Sequence, residues 1–238
     1  MDTKMKFPFD FPITNKWPPK NPDQIQLYSL PTPNGIKVSA MLEESGLPYE
    51  PHLVDFGTND QTSPEFLSLN PNNKIPAIID PNGMHGEPVA LWESGAILIY
   101  LANKSKKLFP EDHQNRYQTL QWLMFQMGGA GPIFGQFGFF HKFAGKEIED
   151  KRPYERYQGE TKRLLGVINS QLEKSKYIAG DEYTIADIAL WPWIKTLDGF
   201  YDAADELELD SFTAIGPWLD ACFSRPASQK AVNIPSRG

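Results

Sequence analysis

Cysteine is nearly missing from this chain: Cys222 is the only one in 238 residues. An internal disulfide, a Cys-x-x-Cys redox pair and a cysteine-rich zinc site are therefore excluded. Cys222 falls in the apolar rhythm Trp218, Leu219, Cys222, Phe223, which suits a small buried side chain rather than a nucleophile. The four histidines, His52, His85, His113 and His141, lack metal-ligand spacing, so no metal is expected. Charge blocks are missing too: 23 Lys and Arg against 30 Asp and Glu give a net −7 without a basic cluster interleaved with aromatics, which argues against nucleic acid. The longest apolar stretch, Ala96 to Ala102, is far too short to span a bilayer, and the first residues hold no apolar signal core. The expectation is a soluble cytoplasmic protein without a membrane partner.

Residues 1–24 carry five prolines, Pro8, Pro12, Pro18, Pro19 and Pro22, and little periodicity. They predict an arm that lies on something else, because it has no core of its own. Residues 25–108 then alternate. A β-rich run at Ile25–Leu30, the turn Pro31-Thr32-Pro33-Asn34-Gly35 and a helical pattern ending at Gly46-Leu47-Pro48 read as strand, turn, helix. Tyr49–Val54 is a second strand, and a short helix begins near Pro64. Lys74–Asp80 and Val89–Trp92 form a hairpin across Pro81-Asn82-Gly83, followed by a helix with Ser94 at its N-cap. A βαβ unit followed by ββα predicts an α/β thioredoxin-like domain with a mixed four-stranded sheet.

Residues 112–238 predict an all-α domain, with helices over 117–143, 153–173, 184–201 and 215–223. Gly128-Gly129-Ala130-Gly131-Pro132 should kink or break the first of these. Tyr183-Thr184-Ile185-Ala186-Asp187-Ile188 has the form of a capping box, which assigns Asp187 to structure rather than chemistry.

Thr32-Pro33-Asn34 sits between strand and helix, where free N–H groups and the positive helix end welcome an anion. A thiolate placed there has its pKa lowered, and Thr32 and Asn34 can donate hydrogen bonds to sulfur. No cysteine is nearby, so such a thiolate must arrive on a ligand. Ile75-Pro76 precedes a strand, and a cis bond there would turn the Ile75 backbone toward an extended peptide. Glu93 can hold an ammonium and Ser94 a carboxylate at another helix N-terminus. Taken singly, Thr32 and Asn34 suit a plain turn and cap, and Pro76 an ordinary strand start. Taken together, the three pieces outline a γ-glutamyl thiol peptide such as glutathione.

The stretches Ser29–Val38, Asn70–Ala77, Trp92–Ile97 and Gln121–Gly129 resemble the glutathione transferase superfamily. Within it they are most similar to the bacterial Nu class and to the proteins related to the yeast nitrogen-regulator prion protein. The resemblance covers about residues 25–235. It implies the glutathione transferase fold, a homodimer, and a site in which Thr32 and Asn34 act on the thiol. It further implies that Gln61, Ile75, Pro76, Glu93 and Ser94 bind glutathione, with Gln126 and Arg152 added from the helical half. Tyr28 and Ser29 are secondary candidates, since other classes activate the thiol with Tyr or Ser in this region. Asn15 and Trp17 of the arm are either packing residues or contacts to a second ligand.

The resemblance also implies that two glutathiones, or glutathione disulfide, occupy the site, and that disulfide reduction is favoured over conjugation. The expected activity is a glutathione-dependent disulfide reductase and transferase acting on a small-molecule substrate. The alternatives are peroxidase activity, conjugation to electrophiles in a pocket lined by Phe134, Phe137, Phe139 and Phe140, and a regulatory module that binds glutathione without turnover.

Overall fold

The structure, a computed structural model, describes residues 11–237. They divide into two units, one formed by residues 11–107 together with 227–237, the other by Leu108–Pro226.

The first unit is built on strands β1 (Ile25–Ser29), β2 (Tyr49–Leu53), β3 (Ala77–Asp80) and β4 (Val89–Trp92), in the order β2-β1-β3-β4. β1 runs parallel to β2, pairing Ile25 with Tyr49, and antiparallel to β3, pairing Tyr28 with Ala77. All five residues of β1 are buried, as a central strand covered on both faces requires. Helices α1 (Pro33–Ser45), α2 (Pro64–Leu69) and α3 (Ser94–Ser105) complete the expected βαβ and ββα order. Gly46 ends α1 in the left-handed region at φ 72°, where a side chain would be strained. Ser63 caps α2 by accepting from the Phe66 N–H at 3.3 Å. β3 begins at Ala77 rather than Lys74, because Pro76 has no N–H to give to a ladder.

The arm holds to the sheet. Ile13 is fully buried beside Tyr28, Phe66 and Ile75, and Trp17 meets Tyr28 and Phe66 edge-on. Trp17 Nε1 donates to the Leu53 carbonyl at 2.9 Å, and the Glu50 carboxylate accepts from the Lys20 and Asn21 amides. This is the packing role for Trp17, whereas Asn15 is exposed. Residues 1–10, which include Pro8, lie outside the described residues.

The second unit holds α4 (His113–Phe125), α5 (Gly131–Lys142), α6 (Arg152–Leu172), α7 (Ile185–Lys195), the short α8 (Ala204–Leu207) and α9 (Ile215–Phe223). The break expected at Gly128–Pro132 takes the form of a π-helical turn, Gln126–Ala130, joining α4 to α5, with Pro132, which has no N–H to give to the preceding turn, just after it. α7 runs into a second such turn, Thr196–Phe200.

Asp187 does more than cap α7. Its Oδ2 accepts from the Thr184 N–H at 2.9 Å and the Thr184 hydroxyl at 3.2 Å, while Oδ1 accepts from the Ile178 N–H and Trp218 Nε1, both at 2.9 Å. Burial pushes this carboxyl up from its ordinary pKa against the pull of those donors. One carboxylate thus ties α7 to the preceding turn and to α9.

Candidate functional site

Thr32 precedes α1 with extended backbone at φ −100°, and Pro33 takes the first helical position. The Thr32 side chain makes no capping bond, and both Thr32 and Asn34 are half-buried at the open end of the helix. Gly35 is obligatory here, since a Cβ would lie 1.9 Å from the Leu30 carbonyl oxygen. The turn is therefore tight, and the helix start is held close over the end of β1.

The secondary candidates behave differently. Tyr28 is fully buried, stacked on His52 with centroids 4.8 Å apart, and its hydroxyl has no hydrogen-bond partner among the described residues. Burial, and then the nearby Glu50 charge, hold its pKa above the ordinary phenol value. Ser29 is also fully buried, its Oγ directed at the Leu30 carbonyl. The Tyr28 hydroxyl is enclosed in the core, whereas Ser29 Oγ lies against the first turn of α1, 2.5 Å from where a Cβ on Gly35 would stand.

Gln61 lies in a single 3-10 turn, Asp60–Thr62, and its Oε1 is buried without a partner among the described residues. Ile75 and Pro76 are buried, joined by a cis peptide bond, and stand just before the first paired residue of β3. Glu93, not Ser94, is the N-cap of α3, because the Ile97 N–H donates to the Glu93 carbonyl. Glu93 is exposed at φ 74°, a region that costs a non-glycine residue of order 1–3 kcal/mol. Ser94 opens the helix and is buried. Lys37 of α1, which no local pattern singles out, is fully buried and donates to Ser94 Oγ at 3.4 Å.

In the second unit Gln126 begins the π turn and is buried. Gly131 makes room for it: a Cβ there would lie 2.4 Å from Gln126 Nε2. Arg152 opens α6, 86 % exposed, and pairs in bidentate fashion with Asp150. It borders a groove of about 820 Å³ with Ile133, Arg156 and Tyr157. Of the four phenylalanines expected to line a pocket, Phe134 and Phe137 are fully buried core, Phe140 stacks on Tyr157, and only Phe139 is exposed. Cys222 is buried and its thiol pKa is raised by that burial, so it has no thiolate character. No group of residues fit to hold a metal ion occurs among the described residues.

A β2-β1-β3-β4 mixed sheet followed by a helical unit, with helix N-termini at Thr32 and Glu93, defines a two-unit protein of the thioredoxin-like, glutathione transferase fold. Two family models match, "Glutathione S-transferase, N-terminal domain" over residues 23–103 and "Glutathione S-transferase, C-terminal domain" over residues 133–226. The chain belongs to the glutathione S-transferase family. It is 44 % identical to the disulfide-bond oxidoreductase YfcG of Escherichia coli, over 87 % of this chain and 94 % of that protein. A glutathione transferase from Burkholderia graminis, solved with two glutathione molecules per subunit, is 59 % identical with a TM-score of 0.96, covering 100 % of this chain and 99 % of that one. A glutathione transferase from Pseudomonas putida, solved with one glutathione disulfide per subunit, is 58 % identical with a TM-score of 0.95, covering 97 % and 100 %. Among the described residues no helix is long and apolar enough to cross a membrane.

Proposed function

We propose that the protein reduces disulfide bonds with glutathione, using the ligand's thiolate and no cysteine of its own. The observation that carries this reading is the pair of close structural relatives that hold two glutathiones or glutathione disulfide in one subunit. The disulfide-bond oxidoreductase among its relatives points the same way, and the buried, proton-retaining Cys222 leaves no protein thiol to compete.

In this reading glutathione lies across the first unit. Its γ-glutamyl ammonium and carboxylate sit at Glu93 and Ser94, its backbone pairs at Ile75-Pro76, Gln61 adds its amide, and its sulfur stands at Thr32 and Asn34. The Thr32 hydroxyl, the Asn34 amide and the start of α1 stabilise the thiolate. That sulfur attacks one sulfur of the substrate disulfide, forming a mixed disulfide and expelling a substrate thiolate, which takes up a proton. A second glutathione thiolate attacks the glutathione sulfur of the mixed disulfide, giving glutathione disulfide and the second substrate thiol. The protein contributes position and charge stabilisation.

Gln126 and Arg152 are assigned to ligand binding from the helical unit, and the active form is a Nu-class homodimer. A cytoplasmic location suits chemistry that consumes reduced glutathione. Turnover of hydroxyethyl disulfide against that of chlorodinitrobenzene tests the assignment. Faster conjugation than reduction would reverse it in favour of electrophile transfer.

A further inference from the structure

Lys37 is, among the described residues, the one lysine or arginine in the buried set, and it is 0 % exposed. Lysine is almost never fully buried unless paired, because its ammonium loses its hydration. A side chain of similar length without charge would normally serve packing as well or better. The placement is also unfavourable in sign. Lys37 Nζ donates to Ser94 Oγ at 3.4 Å, in the first turn of α3, where the helix already presents its positive end. A cation there is repelled by the helix dipole and offset by the Glu93 carboxylate. Two sources of positive potential converging on one serine make sense where a further anion is to be received.

We propose that Lys37 is a positioning residue for the ligand carboxylate: acting through Ser94 Oγ, its buried ammonium strengthens the hold of the Glu93–Ser94 end on the α-carboxylate of a γ-glutamyl ligand, and that hold weakens as Lys37 loses its proton. The inference rests on the assignment of Glu93 and Ser94 to that end of glutathione.

Burial lowers the Lys37 pKa to about 7, with Glu93 opposing the fall. The other charged groups on neighbouring elements are engaged elsewhere. On α1, Glu43 pairs with Lys230 at 2.8 Å and accepts from the Tyr49 hydroxyl, and Lys107 donates to the Ser45 carbonyl beside Glu44. At the end of β3, Asp80 pairs with Lys104 and accepts from Tyr100. On β2, His52 is bonded to Gln26, and Glu50 to the Lys20 and Asn21 amides. Glu93 is the charge that opposes the fall in the Lys37 pKa.

The test is calorimetric binding of S-methylglutathione, which has no thiol to titrate, between about pH 5.5 and 7.5, below the range of its amino group. Wild-type affinity is expected to fall about fourfold across that interval, as a site with a free-state pKa near 7 loses its proton. Lys37→Met should bind roughly tenfold more weakly at the acid end and show no pH slope, whereas a merely structural lysine would leave the slope in place. Ser94→Ala and Glu93→Gln report on the subsite itself. If both lose affinity while Lys37→Met keeps wild-type affinity and slope, the inference is overturned and the subsite stands. If neither changes binding, the subsite assignment falls and takes the inference with it. Should Lys37→Met fail to fold, the wild-type profile decides alone, and a flat profile overturns the proposal.

Discussion

The Lys16 ammonium lies 2.7 Å from the Asp60 carboxylate, so the arm is tied to the turn that carries Gln61. Asp60 also accepts from the Asp55 N–H at 2.9 Å, closing the loop that leads into that turn. Burial alone would raise the Asp60 pKa, but Lys16 and the Asp55 amide hold it below the usual carboxylate range. Lys16→Ala should weaken glutathione binding only slightly, within the ~0–1 kcal/mol of a partly exposed pair. Asp60→Ala should weaken it more, because the loop loses its internal bond as well. Equal effects of the two variants in a binding titration would show that the arm contact, not the loop bond, sets the position of Gln61.

Thr32→Ala and Asn34→Ala should each lower kcat/KM for hydroxyethyl disulfide by roughly tenfold or more, the worth of a hydrogen bond to a charged group. The thiol pKa of bound glutathione, followed by thiolate absorbance, should rise in both. Wild-type rates in both variants would remove these residues from the chemistry.

Asp187→Ala should cost about 3–5 kcal/mol of stability, more than a helix cap alone, since Ile178, Thr184 and Trp218 would all keep buried donors without an acceptor. Denaturant unfolding measures the loss. Specific activity of the protein that remains folded should be unchanged, and a stable but inactive variant would contradict the structural role.

Gly131→Ala should displace the Gln126 amide, its new methyl falling 2.4 Å from Nε2, and so weaken glutathione binding. Gly128→Ala, three residues earlier and with nothing within 4 Å, serves as the comparison and should be neutral or stabilising by about 0.5–1 kcal/mol. Similar binding by the two variants would argue against a ligand role for Gln126.

The buried Lys37 also predicts a pH dependence of stability. Between its folded pKa of about 7 and the ordinary lysine value near 10.4, the unfolded chain holds a proton the folded one has lost, so stability rises with pH through that window. Below it both states are charged, and the cost of burying the ammonium is fully present. Melting temperature should therefore climb from about pH 7 to 9 in the wild type. Lys37→Met should lack that climb and melt at or above the wild type on the acid side, and an equal climb in the variant would assign it to another group.

Strand and helix order was written in local pattern. The β-rich run Ile25–Leu30, the stop at Gly46, the turn at Pro81–Gly83 and the box at Thr184–Asp187 each specify a backbone state by their own chemistry, and each is found where its residues place it. The sheet order rests on the same information, since parallel β1 and β2 need a helix between them while β3 and β4 need only a turn. Local pattern failed where a long-range partner decided the outcome. Tyr28 and Ser29 alternate along β1, so the pattern does not separate facing from hidden, yet both are buried, Tyr28 beneath the arm. Ser94 looked like the cap, but the chain turns one residue earlier, at Glu93 with φ 74°.

The single cysteine was enough to exclude an internal disulfide and a Cys-x-x-Cys redox pair, and the turn Thr32-Pro33-Asn34-Gly35 was enough to mark an anion-ready helix start, because both follow from residue type and local backbone alone. The fates of Asp187 and Lys37 followed from the tertiary structure. A carboxylate shared among Ile178, Thr184 and Trp218, and an ammonium buried against Ser94, exist only once segments distant in the chain are packed together and water is removed from between them.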